Sequence, residues 1–445
     1  MSSAKPDGPG PVLTPAEVQF DTSSKFTDKV PPGYTPWRIR NDYPPPKPAD
    51  LVPEGPPAGT LDAPWLDVDP ITHPERYLEI AKEHCFDGMI AVDFVPQKNR
   101  VRQWYHAPWM HYGASGREPL HGLTAERFTP AFELSATQKR VTQTWAVGFY
   151  NSIGASVFGG MWADPNDPDW TEDKHFPIGT IVFKLLFTNA NNDELPILVG
   201  APTWEGLIAS QPANPKDHPK PADRDLKKPQ SIRLLQVDIA TRDDRAATGW
   251  VFGTFMYTNT SGKTGWDGLI PVGLQWGNDA ELTQAAFEAG QTVKQSWINI
   301  KADDVRVSLH GGRPSFGWNG RLNGPADNFI SACASCHSTA EWPPKVKMTQ
   351  PNPIHKPDGK WIPVNDSKTM TWFQNIPSGT PITPTSVSAD YSLQLLVGYQ
   401  HFTEWLSKQP KVPGKGGDHA PLPPGESLPE NPRQGPTIEY PEPTL

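Results

Sequence analysis

The sequence predicts an α+β fold, mainly antiparallel sheet, with a small helical portion late in the chain and long proline-rich extended arms. Proline accounts for 53 of the 445 residues. Because proline fixes φ and removes a backbone donor, much of the chain cannot be long helix. Short apolar runs are separated by clusters of Gly, Asn and Asp, as antiparallel strands joined by turns require. Aromatic residues form 10% of the chain and can fill a core from few positions.

The strands are expected in the middle of the chain. The clearest runs of β-branched and aromatic residues lie at residues 89–95, 180–187, 234–239 and 250–257. Residues 201–228 are polar and rich in Pro, Lys and Asp, so we expect a surface loop there.

Three helices are predicted around these strands. The first covers residues 75–83, with Thr72 as the capping residue and Pro74 at a first-turn position where its missing N–H is tolerated. A short helix is expected at residues 282–290. A late helix at residues 389–406 carries apolar residues at helical spacing.

Four regions follow from these patterns. They are a proline-rich N-terminal arm at 1–70, a β-rich body at 71–320, a motif-bearing region at 321–406 and a proline-rich tail at 407–445. Trp37, Tyr43 and Trp65 lie among the prolines of the arm. Aromatic residues are depleted in disordered chains, so an arm that wraps the body is favoured over a disordered leader.

Charge and hydropathy argue against two kinds of partner. The formal net charge is -9, whereas a nucleic-acid-binding protein needs a clustered excess of Lys and Arg for the phosphates. No run reaches the roughly 18 apolar residues of a membrane-spanning helix, so no transmembrane segment is expected.

The sequence Cys333-Ala-Ser-Cys336-His337 carries the clearest chemical signal. Two thiols three residues apart lie on one helical turn, where they can reach the two vinyl groups of a haem. The adjacent imidazole can then bind the iron from the same side. This C-x-x-C-H pattern is the attachment signature of c-type haem. The sequence therefore predicts one covalent haem c, bound through Cys333 and Cys336, with His337 as axial iron ligand.

Three other uses of the motif were weighed. A structural zinc site needs four ligands, yet the chain has only one further cysteine, Cys85. A thioredoxin-type redox pair lies between a strand and a helix, whereas residues 319–325 have the composition of a turn. A plain disulfide between Cys333 and Cys336 remains open. Haem is favoured over all three.

The sixth iron ligand stays open at the level of sequence. Electron-carrying haems use a second strong ligand, often Met or His. Met348 follows His337 by 11 residues and Met370 by 33. If no side chain binds, an open site favours ligand binding or oxidation chemistry.

An aromatic segment at residues 104–121 supplies further candidates. It contains three histidines, His106, His111 and His121, together with Arg117. One interpretation places these residues around the haem, with Arg117 pairing with a propionate, because its planar fork matches a carboxylate. A packed aromatic loop with hydrogen-bonded histidines is the favoured interpretation, and a separate metal site is the third.

The late position of the motif, after a long β-rich region, resembles cytochrome P460 and the β-rich cytochromes c′. Residues 176–184 read Phe-Pro-Ile-Gly-Thr-Ile-Val-Phe-Lys, similar to the FP-x-G-x-x-V-x-K strand of that family. The resemblance covers about residues 145–340, whereas the compact class I cytochromes match poorly. It implies an open distal site that oxidises small nitrogen compounds. It also makes Lys184 a candidate for a cross-link to the haem, against the default of a solvent-facing lysine.

The function predicted from these observations is periplasmic electron transfer by a monohaem c-type cytochrome. Its partner would be a redox protein or a small-molecule electron donor or acceptor. An electron carrier is favoured over a haem oxidoreductase. The alternatives are an open-site haem protein that binds or oxidises small molecules, and a haem subunit of a larger redox assembly. The first residues lack the apolar segment of a signal peptide. The expected form is therefore a chain processed after export, and an uncleaved cytoplasmic protein is the competing interpretation.

Overall fold

The computed structural model describes residues 30–45, 62–112, 116–209, 224–309, 313–349 and 367–408. Over these residues the chain forms a nine-stranded antiparallel sheet with helices packed on it, and a separate two-stranded sheet. The predicted α+β class with a mainly antiparallel sheet is confirmed. No helix in this part of the chain has the length and apolar character needed to cross a membrane.

The elements are numbered in chain order. The strands are β1 (Trp104–Tyr105), β2 (Thr124–Thr129), β3 (Thr142–Asn151), β4 (Ile181–Thr188), β5 (Thr203–Gly206), β6 (Gln230–Arg242), β7 (Trp250–Tyr257), β8 (Leu269–Gln275), β9 (Ser296–Ile298), β10 (Glu341–Trp342) and β11 (Val387–Ser388). The helices are α1 (Pro74–Phe86), α2 (Ser152–Met161), α3 (Gln284–Glu288), α4 (Ile300–Leu309), α5 (Cys333–His337) and α6 (Leu393–Ser407).

The large sheet has the strand order β1-β3-β4-β6-β7-β8-β9, with β2 paired to β3 and β5 paired to β6. The small sheet pairs β10 with β11. Every residue of β3 and of β7 is buried. Strands covered on both faces read as continuous apolar runs, as β7 does. Strand β3 begins with the polar residues Thr-Gln-Thr and was not among the strands predicted from the sequence.

Helix α1 covers one face of the large sheet. Leu78 lies directly on β7, where a Cβ at Gly253 would come within 2.3 Å of its Cδ1 atom. The Tyr77 hydroxyl is 2.7 Å from Thr241 Oγ1 and donates to Asp243 Oδ2 at 3.0 Å. The missing side chain at Gly253 therefore lets α1 approach the sheet closely.

The opposite face carries the motif helix α5 and the first turn of α6. Tyr150 of β3 contacts Ser392, the capping residue of α6, through their hydroxyl oxygens at 2.8 Å. The Ser392 side chain also accepts a hydrogen bond from Leu395 N. This face therefore holds the residues predicted to bind a cofactor.

Residues 30–45, from the predicted N-terminal arm, contact the body. Trp37 is 9% exposed, and its backbone N–H donates to Pro119 O at 2.8 Å. The Tyr43 hydroxyl donates to His106 O at 2.5 Å. Most of the remaining arm, and residues 409–445 of the predicted tail, lie outside the described residues.

Several predicted elements are confirmed with shifted ends. Strand β4 is shifted by one residue from the run predicted at 180–187, and β6 and β7 contain the runs predicted at 234–239 and 250–257. Helix α3 lies inside the predicted short helix. Helix α1 is longer than the predicted helix and ends at Phe86. The residue at its N-cap position is His73, whereas Thr72 was predicted to cap it. Helix α6 begins four residues later than predicted, because Asp390 and Tyr391 have positive φ.

Two sequence predictions were wrong in this part of the chain. Residues 89–95 form a short 3-10 helix, Ile90–Val92, followed by Asp93 and Phe94 at positive φ. This conformation cannot continue a pleated strand, and it turns the Phe94 ring onto Trp266 at 4.5 Å. The predicted loop at 201–228 contains strand β5, and its residues 210–223 lie outside the described part.

His84 of α1 gives the fold a defined pH response. It is 6% exposed between Trp65 and Trp104, with ring centroids at 4.8 and 6.0 Å. Burial, reinforced by the Arg102 charge, lowers the pKa of His84 to about 4.

We expect acid to weaken the fold through His84. The unfolded-state pKa of about 6.5 exceeds the folded value, so the unfolded chain binds the proton first. The contribution of His84 is complete above pH 6.5 and falls by up to about 3 kcal/mol as the pH approaches 4. Urea unfolding at pH 7 and pH 4.5 should show a smaller loss for His84→Phe than for the wild type. Equal losses would contradict this assignment.

Candidate functional site

The motif forms the short helix α5, which neighbouring segments hold in place. The N–H of Cys333 donates to Leu322 O at 3.1 Å, and the N–H of Ala334 donates to Gln275 Oε1 of β8 at 3.0 Å. Ser335 Oγ accepts the N–H of Ala332 at 2.8 Å. A helix of five residues is not stable alone, so these bonds to the sheet and the preceding loop fix its position.

His337 has a defined tautomer. Its Nδ1 atom lies 2.7 Å from the backbone oxygen of Tyr391. A carbonyl oxygen can only accept, so Nδ1 carries the proton and donates it. In the neutral ring the lone pair is then on Nε2, the atom through which such histidines bind metals. The ring also packs on Phe252, with centroids 5.0 Å apart.

Both thiols of the motif are free and half-buried. Cys333 Sγ donates a weak hydrogen bond to Asn323 Oδ1 at 3.7 Å. Burial raises the pKa of Cys333, and it raises the pKa of Cys336 to about 12. Redox-active C-x-x-C pairs have a thiol with a lowered pKa. The environment of these two cysteines is therefore unlike that of a thioredoxin-type pair.

A cavity opens beside the motif helix, and its floor is the face of the large sheet. Cys333, Cys336 and His337 all line it. The empty space measures about 1010 Å³, including the mouth that opens to solvent.

Strand register builds the floor in two rows. Tyr150, Val182, Ala240 and Phe252 are register partners across β3, β4, β6 and β7 and form an apolar row. Gly148, Lys184, Asp238 and Thr254 form the neighbouring row, which is largely polar. Residues two apart on a strand share a face, so both rows point to the same side.

Lys184 lies within this polar row. Its Nζ atom is 2.9 Å from Asp238 Oδ2, and its side chain is 28% exposed. Burial alone would lower the pKa of Lys184, but the carboxylates of Asp238, Glu126 and Asp327 outweigh it and raise that pKa. The side chain is therefore a stable ammonium that lines the cavity and remains partly exposed to solvent.

Asp238 is held by several donors besides Lys184. Thr254 Oγ1 donates to its Oδ1 atom at 3.0 Å, and Gln236 Nε2 lies 2.8 and 2.9 Å from its two oxygens. The same Gln236 nitrogen contacts Asp327 Oδ2 at 2.8 Å. At this end of the cavity the carboxylates of Glu126, Asp238 and Asp327 outnumber the single ammonium group of Lys184.

The two candidate methionines are separated by the fold. Met348 lines the cavity together with the motif residues. Met370 instead packs against a different cluster that contains Trp318 and Phe373. Of the two, Met348 is placed to act at the cavity.

The histidines of the aromatic segment do not line the cavity. His106 accepts the N–H of Arg40 at Nδ1, and His121 stacks on Trp204 at 4.3 Å. Arg117 is fully buried and donates to Gly122 O and Ala107 O rather than facing the site. His111 lies beside Trp109. This geometry supports the packed aromatic loop and not a propionate-binding role for Arg117.

Two neighbours of the site could not be identified from the sequence. Tyr391 reaches His337 through a backbone carbonyl, which has no residue-type signature. Gln394 lines the cavity from the first turn of α6, and a Cβ at Gly148 would come within 2.6 Å of its Nε2 atom. A glycine inside a strand signals such close approach, but the approaching residue cannot be identified from the sequence.

The described residues contain no group of three or more His, Cys, Asp or Glu side chains arranged to hold a metal ion. A four-ligand zinc site at the motif therefore has no support within those ranges. Comparison with family models, curated proteins and solved structures gives no match to this chain. The chemistry of the site itself is therefore the basis for assigning a function.

Proposed function

We propose that this protein is a monohaem c-type cytochrome that transfers electrons in the periplasm. The haem would be bound covalently through Cys333 and Cys336, with His337 as an axial ligand. Covalent haem of this type is attached outside the bacterial cytoplasm, which is the basis for the compartment. A redox protein or a small molecule would supply or accept the electron.

The observation that carries this proposal is the arrangement of α5 at the cavity. Two protonated thiols and one imidazole of defined tautomer lie on a single helical turn, and all three line the same cavity. That donor set matches c-type attachment in both residue type and spacing.

The residues present fit a haem in other respects. The apolar row of the floor, Tyr150, Val182, Ala240 and Phe252, suits the face of a flat macrocycle. A bound haem supplies a one-electron redox centre whose potential depends on its axial ligands and burial. The chain's contribution is to orient the imidazole, exclude water with Phe252 and Val182, and hold the cofactor against the sheet.

Covalent attachment can be tested directly with cysteine variants. Expressed in a host that matures c-type cytochromes, the wild type should keep its haem on a denaturing gel. The double variant Cys333→Ala/Cys336→Ala should lose covalent haem, because no thioether bond can form.

Cys85 provides the matched control. It is fully buried in the core cluster that includes residues of α1, and it does not line the cavity. Cys85→Ala should therefore keep the haem. His337→Ala should retain the thioether links but show an altered absorption spectrum. Haem staining absent from the wild type, or persisting in the double variant, would refute the assignment.

An electron carrier is expected to have a strong sixth ligand, and Met348 is the better placed methionine. Met348→Ala should abolish the weak far-red absorption band that marks methionine–iron ligation in the oxidised protein. Met370→Ala is the matched control and should leave that band unchanged. If the wild type lacks the band and its reduced form binds CO readily, the site is open and the carrier function fails.

A second function is favoured by one specific observation, the presence of Lys184 in the same cavity as the motif. In the family that the sequence resembles, a strand lysine is cross-linked to the haem and the distal site is open. By that likeness, the protein would bind or oxidise a small molecule. The ion pair between Lys184 and Asp238 disfavours this alternative, because Lys184 would have to be a neutral amine to form a covalent cross-link to the haem.

The two functions differ in what they predict for Lys184. If a cross-link forms, tryptic digestion should yield a haem peptide that joins the segment around Lys184 to the Cys333–His337 segment. Lys184→Arg should then change the absorption spectrum. For the electron carrier we expect a haem peptide with the motif segment alone, and an unchanged spectrum in Lys184→Arg, which preserves the ion pair.

A further inference from the structure

The carbonyl that His337 contacts belongs to an unusual turn. Asp390 and Tyr391 both have positive φ, 46° and 64°. This left-handed conformation is disfavoured for residues with a Cβ atom. Two such residues in succession persist only when the surrounding structure restrains them.

The restraint comes from the Asp390 carboxylate, which is fully buried. Its Oδ1 atom accepts hydrogen bonds from Trp250 Nε1 at 2.9 Å, Ser378 Oγ at 2.7 Å and the N–H of Gly379 at 2.9 Å. Its Oδ2 atom accepts the N–H of Phe176 at 2.6 Å. All four donors are neutral N–H or O–H groups, and together they occupy both carboxylate oxygens of Asp390.

These donors tie the turn to the wall of the cavity. Trp250 is the first residue of β7, two positions before Phe252, on which the His337 ring packs. The Tyr391 hydroxyl adds an anchor by donating to Ile376 O at 2.5 Å. The position of the Tyr391 carbonyl relative to His337 is therefore determined by side chains rather than by the turn's own preference.

We propose that Asp390 is a positioning residue for His337. By clamping the turn, it holds the Tyr391 carbonyl as acceptor for the Nδ1–H of His337. A hydrogen bond at this nitrogen makes the imidazole a stronger electron donor to a metal on Nε2. Asp390 thereby lowers the reduction potential of the bound haem. This inference depends on the proposed haem attachment and adds a tuning residue to it.

The decisive variant is Asp390→Asn in the haem-loaded protein. An asparagine side chain has only one oxygen that can accept hydrogen bonds. Its NH₂ group must therefore face either the N–H of Phe176 or the Trp250 and Ser378 donors, and the hydrogen bonds on that side are lost. Spectroelectrochemistry should show the reduction equilibrium displaced about tenfold toward the ferrous form, which is roughly 59 mV for one electron. Hydrogen exchange at His337 Nδ1, followed by NMR with labelled histidine, should accelerate at least about tenfold.

Loss of a buried negative charge alone also raises a potential, and Glu341 controls for that effect. It is fully buried, lies four residues after His337, and accepts hydrogen bonds from Thr383 N and Oγ1. Glu341→Gln replaces a comparable buried carboxylate, and none of the four hydrogen bonds that the Asp390 carboxylate accepts involves Glu341. It should displace the equilibrium less than threefold and leave the exchange at Nδ1 unchanged.

The experimental outcomes distinguish a failure of the proposed haem attachment from a failure of the proposed role of Asp390. A wild type without covalent haem overturns the proposed function and this inference together. Suppose that the wild type does carry covalent haem. The role of Asp390 alone is then overturned if Asp390→Asn has the same reduction equilibrium and Nδ1 exchange rate as the wild type, or the same as Glu341→Gln. If Asp390→Asn does not fold, Ser378→Ala replaces it, with a smaller shift in the same direction expected. No shift in Ser378→Ala would equally overturn the role.

Discussion

The register of β3, β4, β6 and β7 is the constraint on which the site depends. Antiparallel pairing brings Lys184 opposite Asp238 and places Gly148 beside them. A slip of one residue in β4 would send Lys184 to the face covered by α1 and remove its pairing with Asp238. The floor of the site is thus a direct consequence of strand pairing.

Charge placement follows from the way the two faces are covered. The α1 face is closed by apolar and aromatic side chains, where an ion pair would lose its hydration without compensation. On the other face, the cavity leaves Lys184 and Asp238 partly exposed, at 28% and 23%. Thr254 and Gln236 also donate to Asp238. The cavity wall therefore keeps part of the hydration of this pair and supplies further hydrogen-bond donors to its carboxylate.

The motif helix and the turn at Tyr391 are two parts of one arrangement. Helix α5 is too short to hold its own position, and the turn adopts a backbone conformation that it would not adopt alone. Each is held by side chains from the sheet, Gln275 for the helix and Trp250 for the turn. The imidazole and its acceptor are consequently both positioned by neighbouring strands of the large sheet, β8 and β7.

The sequence by itself determined the fold class, three central strands and the five-residue motif, because each is a local pattern of residue types. It misassigned residues 89–95, since a short apolar run looks the same in a strand and in a buried turn. Only the tertiary structure decided that Lys184 and Met348 line the cavity, that Arg117 and Met370 do not, and that His337 donates to a carbonyl 54 residues away. Those contacts join segments that are far apart in the sequence, and they depend on strand register and on backbone atoms. Neither can be deduced from a local pattern of residue types.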